Sequence, residues 1–111
     1  MKKPKKNIYD TQTKAFNVDG TSLMEFRIAD TFQKSLVQLT NKEQKAVKEK
    51  AFDIQLNITG NANKFHRLER VKDPNFWSVR VNSDIRIIAH KTGKSLLLTY
   101  ADHHDDAYKW A

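Results

Sequence analysis

Between Phe76 and Tyr100 three strand-like runs follow one another with barely enough chain between them to reverse direction, and this crowding constrains the fold more than any other feature. The runs Phe76 to Val81, Ile85 to His90 and Ser95 to Tyr100 are rich in β-branched and aromatic residues. Only Asn82-Ser83-Asp84 and Thr92-Gly93 separate them. Connectors of this length join antiparallel neighbours, so this stretch is expected to form a meander.

The chain before it reads differently. From Leu23 onward, Met24, Phe26 and Ile28 alternate with Glu25 and Arg27, the period of a half-buried first strand. Asp30 is expected to cap a helix that carries Phe32, Leu36 and Leu39 on one face. Thr40 with Glu43 three residues later forms a capping box. It opens a second helix with an apolar stripe of Val47, Ala51, Ile54 and Ile58, which Gly60 and its neighbouring asparagines end. Two helices joined so tightly form a hairpin able to cover one face of a sheet. Residues 61–70 read as a basic loop, Asp73-Pro74-Asn75 as a turn, and a last short helix is expected from His103 or His104. Residues 1–20 lack periodicity and close on Asp19-Gly20. They are expected to be a basic flexible tail with one extended segment near Ile8 and Tyr9, leaving residues 21–111 as the folded domain.

At 111 residues the chain can bury one core and no more. Its net charge of +7 and pI near 9.7 favour a polyanionic partner, since neutralising phosphates releases counterions. The absence of cysteine excludes disulfides, thiolate zinc sites and cysteine nucleophiles. No apolar run is long enough to span a bilayer, so no membrane role and a cytoplasmic location are expected.

Strand alternation places Trp77, Val79, Val81, Ile85, Ile87 and Ala89 on one face of the meander. Phe76, Ser78, Arg80, Arg86, Ile88 and His90 fall on the other, a cationic floor on a rigid sheet. Lys64, His66, Arg67 and Arg70 of the basic loop, with Ser78 and His90, are the candidate nucleic-acid contacts. Against this stands a plain alternative in which the arginines decorate an exposed face or pair with Asp84 and Glu69, and His104 merely caps its helix or pairs with Asp105. No metal ligand set is assigned, because adjacent side chains in His103-His104-Asp105-Asp106 diverge and no i, i+4 histidine pair is present. No cofactor is expected either.

With these residues in place, the chain resembles the RelE/ParE superfamily of toxin-antitoxin proteins. The resemblance rests on the strand-helix-helix start, Phe76-Trp77-Ser78-Val79-Arg80-Val81, Asp84-Ile85-Arg86-Ile87-Ile88 and the closing His103-His104-Asp105-Asp106-Ala107-Tyr108, and it runs from about Leu23 to the C-terminus. It implies an α+β fold with an N-terminal strand and helical hairpin packed on a twisted, mainly antiparallel sheet, and a short C-terminal helix. It further implies a toxin acting as a metal-free, ribosome-dependent mRNA endonuclease, with mRNA, ribosome and a cognate antitoxin as partners. In that reading the catalytic set is Arg80 and Arg86 on the scissile phosphate, His103 or His104 in proton transfer, and Tyr108 in stacking or proton relay. Ser78 stands where some nucleases of the family carry lysine, and His104 where arginine is commoner. The alternatives are a ParE-like gyrase inhibitor or a non-catalytic module fused to or associated with a superfamily I helicase, which the His-Asp-Asp-Ala-Tyr-Lys-Trp ending also resembles.

Overall fold

The computed structural model describes residues 13–18, 22–61 and 64–111. The extended segment expected near Ile8 and Tyr9 lies outside them. The elements run β1 (Thr13–Val18), β2 (Ser22–Ile28), α1 (Asp30–Leu36), α2 (Asn41–Leu56), α3 (Ile58–Asn61), β3 (Phe65–Arg67), β4 (Phe76–Arg80), β5 (Ile85–Thr92), β6 (Ser95–His103) and α4 (His104–Trp110). One sheet of order β1-β2-β6-β5-β4-β3 results, antiparallel throughout except where β2 lies parallel to β6. This is the expected α+β architecture, mainly antiparallel, with a helical hairpin on one face and a short helix at the end.

The helices start and stop for local reasons. Glu43 N donates to Thr40 Oγ1 (3.1 Å) while Thr40 N donates to Glu43 Oε1 (3.0 Å), which completes the capping box of α2. Asp30 does not cap α1: it is the first helical residue, and Ala29 precedes it with no side-chain cap. Ala29 N donates instead to Leu98 O (2.9 Å), so β6 ties down the entry to the helix. After Leu56 a short turn of helix, α3, follows, and buried Asn61 closes it by donating to Asn57 O (2.8 Å) and accepting from Lys50 Nζ (3.2 Å). On the hairpin side Phe26, Phe32, Val47, Ile54, Val79, Ile85, Ile87 and Leu98 make the main core.

Three departures from the sequence reading matter for the site. Residues 13–18, inside the segment read as tail, pair with β2 as an edge strand. Residues 65–67, inside the segment read as loop, pair with β4. Both are short edge strands whose partner's backbone, rather than their own periodicity, recruits them. The third is a β-bulge. Ile88 faces Tyr100 but Ala89 faces Leu98, so Thr99 is an extra residue and every side chain beyond it changes face. Thr31 Oγ1 donates to Thr99 O (2.5 Å) and Thr99 Oγ1 to Ile88 O (2.8 Å), satisfying the backbone that the bulge frees. Tyr100, which strict alternation along β6 would place on the face of Leu96 and Leu98, therefore lies on the opposite face. There it stacks on Trp110 (ring centroids 4.5 Å apart, 2° between planes) in a small second core with Ile88, Leu68, Phe76 and Ala107.

Candidate functional site

The second core fastens α4 across one half of the sheet face that the hairpin leaves uncovered, and the other half is cationic. Arg80 pairs directly opposite Arg86, Ser78 opposite Ile88, and His66 of edge strand β3 opposite Ser78. Like charges placed opposite one another on a sheet are unfavourable, so this arrangement is not there for stability. Arg86 is 8% exposed. Its Nη1 donates to Asn82 O (2.8 Å) and Ile85 O (3.1 Å), two carbonyls of the β4–β5 turn that hold the guanidinium in one place. Among the described residues neither arginine has a carboxylate within ion-pair distance. A partly desolvated cation without a counter-charge is a standing attraction for an anion.

Around it lies a groove of about 490 Å³ lined by Lys64, His66, Ser78, Val79, Arg80, Arg86 and Tyr108. A second groove of about 530 Å³ continues it, sharing His66, Ser78 and Tyr108 and adding Arg67, Arg70 and Lys109. Together they make an elongated basic track. Arg70 holds a left-handed backbone conformation (φ 62°) at the far end, a costly geometry for a residue other than glycine. Tyr108 overhangs the junction from α4. Its hydroxyl is 3.5 Å from the Oγ of fully buried Ser78, and its ring lies 4.4 Å from that of His104 at 55°.

Not every residue singled out in the sequence gathers here. Lys64, His66, Ser78, Arg80, Arg86 and Tyr108 share the groove, and Arg67 and Arg70 line its continuation. His104 stands behind the Tyr108 ring, with Nδ1 3.0 Å from Asp105 Oδ1. His90 lies at the far end of the same face, bound to Asp73 Oδ2 (2.7 Å) and edge-on to Phe76 (4.9 Å). His103 does not enter the groove. It pairs with Ile85 on the hairpin side, where its Nε2 meets Glu43 Oε2 at 2.8 Å. Consecutive residues at a strand end point to opposite faces, which separates it from His104.

The hydrogen bond to Glu43 raises the pKa of His103, helped by the charges of Asp84, Glu43 and Asp102 and opposed by burial. Glu43 is lowered in turn, first by the Thr40 backbone amide and then by His103. Burial raises the Tyr100 phenol, reinforced by Asp102, to which its hydroxyl donates (3.1 Å). Among the residues lining the groove the histidine is His66, expected in a loop and found on the three-residue strand β3. The alternation of Phe65 and His66, the first toward the main core and the second toward the groove, was the available signal.

No protein-family model matches the chain and no curated protein matches it in sequence. Among solved structures it is similar to a chain of the RelBE2 toxin-antitoxin complex from Mycobacterium tuberculosis. The TM-score is 0.57, with 21% identity over 71% of this chain and 95% of that one. The fold is thus RelE-like, as the motifs implied.

Proposed function

We propose that the chain is the toxin of a toxin-antitoxin pair and that its basic groove binds and cuts messenger RNA on the ribosome without a metal. The single observation that carries this reading is the pair Arg80 and Arg86, opposed on a rigid sheet, unpaired with carboxylate among the described residues, and sharing a groove with His66 and Tyr108. Cleavage of an RNA backbone needs a base for the 2′-hydroxyl proton, an acid for the departing 5′-oxygen and positive charge on the crowded phosphate. Arg86, fixed by two carbonyls, and Arg80 take the phosphate oxygens. His66 lies within the groove and takes the proton-transfer role first given to His103 or His104, while His104 supports the Tyr108 ring against which a base stacks. Lys64, Arg67 and Arg70 track the flanking backbone.

A cognate antitoxin is part of the proposal, in keeping with the complex in which the similar fold occurs. Its amphipathic segment would lie on α2, where Phe52 (60% exposed) borders a cleft lined by Phe26, Phe32, Leu36 and Ala51, and Leu56 (66% exposed) follows one helical turn later. The gyrase-inhibitor and helicase-associated alternatives gain no support from this neighbour.

The test is primer-extension mapping of a message translated by purified ribosomes. Wild type should produce discrete cuts, and Arg86→Ala and His66→Gln should each slow them by about 10²-fold. Cutting at wild-type rates by both variants would refute the assignment.

A further inference from the structure

His103 sits on the side of the sheet away from the groove, yet its contacts lead back to Arg86. Its Nε2 lies 2.8 Å from Glu43 Oε2 at the start of α2 and 3.6 Å from Asp84 Oδ2 in the β4–β5 turn, and its Nδ1 is 3.5 Å from Asp102 Oδ1. Asp106 of α4 joins the cluster, a carboxylate oxygen lying within 4.8 Å of a ring nitrogen of His103 and of a carboxylate oxygen of Asp102. One imidazole is thus the shared counter-charge for carboxylates from α2, the turn, β6 and α4. No lysine or arginine among the described residues forms an ion pair with any of them.

The turn that His103 grips is also the one that seats Arg86. Asn82 Oδ1 accepts from Asp84 N (2.9 Å) and Ile85 N (2.8 Å), and Asp84 O accepts from His104 N (2.7 Å). The carbonyls of Asn82 and Ile85, on either side of Asp84, are those to which the Arg86 guanidinium donates. We propose that His103 is a positioning residue for the groove: as an imidazolium it ties Asp84 to Glu43, fixes the turn and so fixes Arg86, making anion binding depend on a proton held by a side chain that never touches the anion. This inference rests on the groove being the RNA-binding site.

The physical reason is charge balance. A neutral imidazole leaves the carboxylates facing one another without a counter-cation. Asp84, whose side chain is far more exposed than those of Glu43 and Asp102, is the one free to swing out and loosen the turn. The same neighbours favour the charged form of His103, so the clasp opens at a higher pH than the ordinary histidine value would give.

The experiment measures fluorescence anisotropy of a labelled, uncleavable 2′-O-methyl RNA oligonucleotide from about pH 6 to about pH 9. All proteins carry His66→Gln, because His66 lines the groove and the effect of His103 has to be read without a second imidazole beside the RNA. In that background affinity should fall about tenfold across the range. Adding His103→Lys, a permanent cation, should keep affinity near its low-pH value throughout. His103→Gln should hold it near the high-pH value. Asp84→Asn, on the exposed turn, should flatten the profile with His103 intact, and serves if the His103 variants do not fold. Lysine and glutamine variants that cannot be told apart, or a pH profile unchanged by all three substitutions, would overturn the clasp. A separate failure is recognisable: binding that Arg86→Ala leaves untouched at every pH removes the groove reading itself.

Discussion

On the face toward the helical hairpin, β4 and β5 send Val79, Ile85, Ile87 and Ala89 into the main core, while on the opposite face the same two strands present Ser78, Arg80 and Arg86. Every residue of the first set is almost wholly buried in apolar surroundings. The second set places two guanidinium groups across from each other and buries one of them against backbone carbonyls alone. A single pair of strands thus carries the stability of the domain on one side and an unfavourable charge arrangement on the other. Local conflict of this kind, paid for by packing elsewhere, is a mark of a functional surface.

The contrast can be broken from either side. Leu98→Ala, in the main core, should cost about 2–5 kcal/mol of stability in a denaturant titration, with RNA affinity per folded molecule unchanged. An equal loss of affinity would mean that the two faces are not separable. Arg86→Ala should do the reverse: it loses activity while leaving the midpoint of chemical unfolding unchanged or slightly raised, because a desolvated charge has been removed. A destabilisation above about 2 kcal/mol would recast Arg86 as a structural residue.

The smallest effect concerns pH. His103 has a raised pKa in the folded state, so its stabilising contribution is complete below the unfolded histidine value and is lost as pH climbs through the folded one. Glu43 is lowered, so its contribution is present above the unfolded carboxylate value and is lost as pH falls through the folded one. Thermal melts should therefore show a plateau between these limits that His103→Gln removes on the alkaline side. Identical melting profiles for the two proteins across neutral and alkaline pH would leave the ion cluster without energetic weight.

Much of this molecule was legible residue by residue. The capping box of Thr40 and Glu43, the stripe of Val47, Ala51 and Ile54, and the sharing of one face by Arg80 and Arg86 all follow from short-range periodicity. The face of Tyr100 does not follow from alternation, because a bulge is set by the neighbouring strand and by Thr31 of α1, neither of which lies near it in sequence. β3 escaped notice because three residues carry no measurable period, so His66 was expected as a loop contact rather than as a strand residue lining the groove that His103 does not enter.

The order of residues alone determined the helical hairpin, the antiparallel meander and the side of the sheet on which the arginines stand, since these depend on backbone periods of two and 3.6 residues and on caps a few residues away. Only the tertiary structure decided which histidine accompanies the arginines, where Tyr108 rests and how Arg86 is held. Those relations join groups distant in sequence, and what fixes them is the packing of edge strand β3 and helix α4 against strands β4 to β6.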